Sequence, residues 1–457
     1  MTAGKALPAD GKRLGEQMSK KISLTVVFVS MCVLSSFLLS CGSTSSRPSG
    51  LLYVLTQGIN GAGNNISSFS LDLSSGSLSL LNDTTNTCST SNSCGLPLDI
   101  VLDPTAAVAF VLNQGVPASS VAPTIYAYSI NSDGSLGATP SSAAATLTLG
   151  DTPVAMTRDA AGQYLFVIDV GADPSAANCQ YQPQNNLPNI QCASVSVFSM
   201  QSGSPTLTPV SGSPFPLGRV PSAVSALTFP VPNGNPPPPA CPASTSSEEF
   251  LYITFNSDPA LHNDSTLSTY CIDSSGAPHD ITPNVPYNTQ TDPISVLAVD
   301  TNPVGQPTSG GIFVYVGSQP TASGALGVFK QDTTTSLLVP VVGNTTPATG
   351  QNPIRLIVDP TNNFLYVACQ QSNQIFGYRI NTAAGTLAAL NPPYQPTGSG
   401  PVSMAMHPST NSSGEFLYTS NNAADSISVF SVSTTSGAMS SQAPVIAPAA
   451  PSGMAAR

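Results

Sequence analysis

From residue 51 onward, short uninterrupted apolar runs recur, each followed by a run in which apolar and small polar residues take turns. The clearest copy reads Phe364-Leu365-Tyr366-Val367, then Gln374-Ile375-Phe376-Gly377-Tyr378, then Gly385-Thr386-Leu387. The next copy opens at Pro401, whose apolar stretch runs to His407-Pro408. Runs of this length, rich in aromatic and β-branched residues and bounded by Gly, Pro, Ser and Thr, predict strands. The phrase recurs along the chain, which marks a repeat architecture of four short strands per unit. Prolines at Pro97, Pro153, Pro221, Pro293, Pro353, Pro401 and Pro451 each lead into an apolar stretch. Seven copies predict an all-β chain folded as a seven-bladed β-propeller with four-stranded blades.

Aligning the copies on that proline sorts the positions behind it. Three residues on stand Ile100, Met156, Val224, Val296, Leu356, Met404 and Met454, apolar in every copy and therefore expected between blades. The position before holds Asp99, Ala155, Ala223, Ser295, Arg355, Ser403 and Gly453, and strand alternation turns these towards the central channel or its mouth. The next strands are expected to begin at Leu51, Val108, Tyr164, Phe250, Phe313, Phe364 and Phe416. The first unit lacks its proline strand, and Pro451 to Arg457 is a proline strand without a unit. The two complement each other, so the C-terminal segment is expected to close the ring as the innermost strand of the first blade.

Ahead of the repeats, Lys20 and Lys21 precede an apolar run from Ile22 to Leu39, which ends in Leu38-Leu39-Ser40-Cys41. This segment resembles a bacterial lipoprotein signal with its lipobox. The resemblance implies cleavage before Cys41, a lipid on Cys41, and a membrane-tethered protein of the cell envelope, periplasmic or outer-surface. A plain transmembrane anchor is the alternative, because the run is close to the minimum spanning length of about 17 residues. Met18, directly ahead of the lysines, is a better-placed start than Met1. The expected organisation is an N-terminal extension and signal over 1–41, a linker over 42–50 and the propeller over 51–457.

Charged residues make up 8 % of the chain and the net charge is −11, with no basic cluster beyond the signal region. Such a surface repels a phosphate backbone, which argues against nucleic acid as a partner. Setting aside Cys32 and Cys41, the pairs Cys88/Cys94 and Cys179/Cys192 bracket polar segments and read as local disulfides of an oxidising compartment, with Cys241/Cys271 a third candidate. Cys369 ends an apolar strand and reads as a buried thiol. No Cys-x-x-Cys or Cys/His spacing suggests a metal, and no cofactor is expected.

The Leu-Tyr-Val, Ile-Ser-x-Phe, Gly-x-Leu and Gly-x-x-Pro phrases resemble the lactonase-type seven-bladed propellers, the group of bacterial 6-phosphogluconolactonases and fungal carboxymuconate lactonising enzymes. They are also similar to the YVTN propellers of surface-layer and periplasmic proteins. The resemblance spans about 50 to 457 and implies a lactone-hydrolysing site, whose residues depart from the family pattern here. Where the family has a His just inside a channel strand, this chain has Val154 and Ala155. The following Asp169-Val170-Gly171-Ala172-Asp173 is similar to the family's Asp-Leu-Gly-Ala-Asp. The family's Arg-His becomes Gly218-Arg219-Val220, and its Asn-Glu becomes Phe255-Asn256.

Asp99, Asp169, Asp173, Arg219, Asn256, His262 and Arg355 remain as candidate ligand-binding residues. Arg355 with Asp99 offers a polar site at the channel mouth, since an arginine fork recognises carboxylates; a solvated arginine lining a wet channel is the simpler reading. Asp169 and Asp173 could contribute to a calcium site, but two carboxylates are too few and Asx turns suffice. Arg158 is expected to pair locally with Asp159. Glu248, Glu249 and Glu415 precede Phe-Leu-Tyr strands, in turns opposite the mouth. His407 ends a channel strand on that far face, and His279 follows a Gly-Ala-Pro turn. No general acid–base constellation emerges and no catalytic residue is assigned. The sequence therefore predicts a lipid-anchored, non-catalytic propeller, monomeric as a closed ring, that presents loops to a protein, glycan or small molecule; insertions at 171–193 and 231–248 are candidate binding segments. The alternative is a lactonase-like hydrolase with a rebuilt site.

Overall fold

The runs that read as continuously apolar are strands buried on both faces. Every residue of Leu51–Thr56, Val108–Asn113, Ile312–Ser318, Phe364–Cys369 and Glu415–Asn421 is buried. Each lies within a sheet sandwiched between two others, so neither side chain row meets water. The structure is a computed structural model. It describes residues 50–457 apart from 59–63, 89–93, 117–118, 141, 148–150, 171–192, 218, 231–246, 257–264, 283–286, 289–291, 303–309, 320–322, 333–334, 342–347, 408–414 and 448. The described residues fall within one compact unit; Cys32, Cys41 and the whole signal segment lie outside them.

The sixth blade shows the plan. From the centre outward it comprises Pro353–Val358, Phe364–Cys369, Gln374–Ile380 and Leu387–Pro396, all antiparallel. Seven such sheets make the seven-bladed propeller. In the third, fourth, fifth and seventh blades the outer strand is broken in two, as where Leu207–Pro209 and Phe215–Pro216 both pair with Ser194–Met200. Three second strands start earlier than the sequence suggests, at Ser247, Ile312 and Glu415, because Pro230, Asp300 and Val432 on neighbouring strands extend the ladders to meet them.

Seven apolar clusters fill the seven interfaces between blades. The sixth and seventh blades share Phe364, Tyr366, Met404 and Leu417; the seventh and first share Tyr418, Phe416, Leu52 and Met454. The residues three beyond each proline sit in or against these clusters as expected, buried in every blade except at half-buried Val224. Burying these faces is the main favourable term for the fold, at about 25 cal/mol per Å² of apolar surface.

A polar latch accompanies each of several interfaces. The second-strand tyrosine hydroxyl donates to a glycine carbonyl in a turn of the next blade: Tyr53 to Gly134, Tyr315 to Gly385, Tyr366 to Gly437 and Tyr418 to Gly76, at 2.8, 3.2, 2.8 and 3.0 Å. Gly385 and Gly437 sit at φ of 75° and 72°, and a Cβ at either would run into the ring of Phe313 or Phe364 on the preceding blade. The Gly-x-Leu phrase is thus a contact between blades as well as a turn. The aspartate closing several inner strands clamps the following turn; Asp359 accepts from the main-chain N–H groups of Asn363 and Phe364 at 2.8 and 2.6 Å.

Pro451–Ala456 pairs with Leu51–Thr56 as the innermost strand of the first blade. Leu51 and Arg457 exchange main-chain hydrogen bonds of 3.0 and 2.9 Å. Deleting 451–457 strips this strand and bares an edge and the Met454 side of a core cluster, so the truncated protein should unfold at a markedly lower temperature. An unchanged melting temperature would refute ring closure as a stabilising element. Tyr366→Phe, which removes only the latch hydroxyl, should cost about 1 kcal/mol in denaturant unfolding.

Candidate functional site

Each innermost strand carries an irregularity just inside its proline. Pro353 opposes Cys369 while Arg355 opposes Ala368, so Ile354 is an extra residue in the ladder. The same shift follows Pro97, Pro153, Pro221, Pro293 and Pro401, and the first blade has its counterpart between Thr56 and Val54. A bulge of this kind aims two consecutive residues where a regular strand would aim one. At one end of the channel the result is a cavity of about 410 Å³, lined by the bulged residue of every blade and, in six blades, by its successor.

Most of that lining is small or aliphatic, and its polar members bind neighbouring blades. Ser222 donates to Pro293 O at 2.6 Å, and Ser452 to Pro97 O at 3.2 Å. Ser295, the channel-facing position missing from the lining, is buried and donates to Pro353 O at 2.5 Å. Among the described lining residues two are charged, Asp99 and Arg355. They stand on the second and sixth blades, across the ring from one another, with a guanidinium nitrogen of Arg355 3.8 Å from an Asp99 carboxylate oxygen. Asp99 is nearly buried and its two oxygens accept from the N–H groups of Ile100 and Met156 at 3.0 and 3.2 Å. The Arg355 side chain is 40 % exposed.

The other described candidates do not join them. Arg219 packs over the Phe255 ring at 4.3 Å and donates to the Thr266 and Ser268 hydroxyls at 2.8 and 2.6 Å, with Asp280 4.0 Å away. Asn256 is exposed, its main-chain N–H donating to Val220 O. Asp169 is fully buried and accepts from the Ser194 hydroxyl at 2.6 Å. Asp173 and His262 lie outside the described residues, as do Cys179, Cys192 and Cys241. Arg158 donates to the carbonyls of Leu102 and Asp159 at 2.6 and 2.7 Å, so its local partner is the Asp159 main chain. Val154 and Ala155, where the family resemblance implies a histidine, do line the cavity. The bulge signal that the sequence reading missed is the pairing of residues one and two beyond the proline; the alignment singled out the second alone.

Residues 306–406 match a family model, that of the lactonase seven-bladed β-propeller. The fold is a seven-bladed β-propeller, the architecture this family model describes. Among solved structures, a protein described as a 6-phosphogluconolactonase from Bacteroides uniformis is similar over 90 % of this chain and 100 % of its own, with 14 % identity and a TM-score of 0.58. The periplasmic gluconolactonase of Pseudomonas aeruginosa is similar over 88 % and 98 %, with 17 % identity and a TM-score of 0.56. No curated protein matches the chain.

Among the described residues the remaining titratable groups of this propeller do not line the cavity. Cys88 and Cys94 form a disulfide; Cys271 is disulfide-bonded too, with its partner outside the described residues. Cys369 is a free thiol that burial pushes up to about 11. His279 lies 2.8 Å from Asp273; partial burial would raise that carboxyl, but hydrogen bonds from His279, Ser275 and the main chain outweigh it and bring it to about 2. His407 is buried at the far end of its strand. Among the described residues no group of three or more His, Cys, Asp or Glu is arranged to hold a metal ion.

Glu249 and Glu415 lie within strands and are buried, where the sequence reading set them in turns; the ladders extend to cover them. Burial, with the Asp159 carboxylate nearby, pushes Glu249 up to about 9, and one of its oxygens has no hydrogen-bond partner. Burial, then Asp359, brings Glu415 to about 7. A carboxyl whose folded value is raised stabilises the fold fully below its unfolded value and loses that contribution as pH climbs to the folded one. Glu249→Gln should therefore match the parent protein near pH 4 and become the more stable of the two as pH approaches about 9. Parallel stability profiles for the two proteins would show that Glu249 does not titrate in this way.

Proposed function

We propose that this protein is an exported, lipid-anchored propeller that binds a small polar molecule at its channel mouth and does not hydrolyse it. The observation carrying this reading is a cavity of about 410 Å³ in which Arg355 and Asp99 are the only charged residues among the described lining. Lactone hydrolysis by acid–base catalysis needs a titrating group within hydrogen-bond reach of the substrate. Among the described lining residues there is no histidine, and the one carboxylate already accepts two main-chain hydrogen bonds and faces a guanidinium. The Cys88–Cys94 disulfide supports an oxidising compartment, and the Ser40-Cys41 lipobox supports the lipid anchor.

The second reading, a lactonase-like hydrolase, is supported by the family match across residues 306–406, a stretch that includes Arg355. A panel of lactones, 6-phosphogluconolactone among them, separates the two when followed in a pH-stat with protein beginning at Gly42. Rates equal to spontaneous opening are expected. Turnover well above that background and lost in Arg355→Ala would replace the binding reading by the hydrolase. For the anchor, radiolabelled palmitate should enter the full-length protein and be absent from Cys41→Ser; equal labelling of both would remove Cys41 as the lipid site.

A further inference from the structure

Among the described residues at the mouth, the Arg355 guanidinium is a strong donor without a protein hydrogen-bond acceptor. Arg158, Arg219, Arg379 and Arg457, the other described arginines, each donate at least one hydrogen bond to a carbonyl or hydroxyl. Arg355 donates none: its contact with Asp99, at 3.8 Å, is longer than a charged hydrogen bond of about 2.7–2.9 Å. Asp99 cannot approach further without giving up the Ile100 and Met156 amides, which hold it from its own blade and from the next. The pair is thus attracted across the channel but not joined, and a planar fork of N–H groups stays open towards the cavity.

That geometry suits a ligand that brings its own carboxylate. Ser222, Ser403, Ser452, Gln57 and Asn422 line the same cavity; each already holds a main-chain group of a neighbouring blade, and the lone pairs and amide N–H that remain match hydroxyls on such a ligand. We propose, building on the binding site put forward above, that the mouth takes a small hydroxylated monocarboxylate whose carboxylate engages Arg355, and that Asp99 is a fixed competitor holding this affinity down. Asp99 occupies the electrostatic place of the ligand's charge when the site is empty, and in the occupied site it repels the incoming anion at close range. Its charge sets how readily an anion enters, and the neutral lining decides which neutral groups come with it.

The test uses gluconate as the charged probe and sorbitol as a neutral polyol of similar size, titrated calorimetrically into the full-length protein, Asp99→Asn and Arg355→Gln. Asp99→Asn should tighten gluconate by about two- to fivefold and leave sorbitol unchanged, the upper part of the range spanned by a partly exposed charge pair. Arg355→Gln should abolish the preference for gluconate over sorbitol. It leaves both main-chain bonds to Asp99 in place, so it remains informative if Asp99→Asn does not fold. Gluconate binding that is equal in a folded Asp99→Asn protein, or that survives in Arg355→Gln, would overturn the competitor role while leaving the mouth as a binding site. Binding of neither probe to any of the three proteins would overturn both this inference and the site on which it rests.

Discussion

The structure depends on one constraint: no blade can bury its own faces. A four-stranded sheet with apolar residues on both sides is insoluble alone, and becomes stable only when a neighbour covers each side. The seven clusters between blades, from Leu52 with Tyr418 round to Tyr366 with Leu417, meet that need only if the ring shuts. Closure by Pro451–Ala456 on Leu51–Thr56 is therefore part of the hydrophobic logic. The tyrosine latches add direction to it: a hydroxyl that must find one glycine carbonyl fixes the register of one blade against the next.

The same packing determines where chemistry can occur. Side chains between blades are sealed, and outer strands face bulk water, so a concave and partly desolvated surface is left at the channel mouth. There the innermost strands bulge, and the two charged residues of the lining approach from blades that are not neighbours. The buried carboxylates elsewhere, Asp103, Asp159 and Asp359, are turn clamps whose charge is met by main-chain N–H groups. Asp103, whose hydrogen bonds outweigh its burial and hold it below the usual carboxylate range, and Asp159, which burial pushes up, illustrate how a perturbed acid can be structural without being part of a site.

Much of this was legible in the sequence because repetition turns a weak local signal into a strong one. A single Phe-Leu-Tyr-Val run is ambiguous, but seven aligned copies fix strand order, positions between blades such as Met404, and the orphan strand that closes the ring. The approach of Arg355 to Asp99 was legible as a shared position, and its distance was not, since that depends on the ring's diameter. The bulge at Ile354 could not be read at all: an extra residue in one strand leaves the apolar spacing intact and shows only against its partner. Glu249 and Glu415 were misplaced for a related reason, because polar residues at a strand edge look like turn residues until the opposite ladder is seen to reach them.

The repeated bulge also separates two kinds of inheritance. In a regular strand, changing a channel residue alters the spacing against its neighbours, and a gain in recognition risks a loss of fold. Here the extra residue in each inner strand stands outside the ladder, while the proline before it and the apolar residue two places after it hold the blade. Leu98 and Val154 also pack against clusters between blades, but substitutions at Ile294, Ile354 or Val402 can redraw the mouth while those clusters are left untouched. Such a surface can drift between ligands, and even between binding and catalysis, at little cost to its architecture.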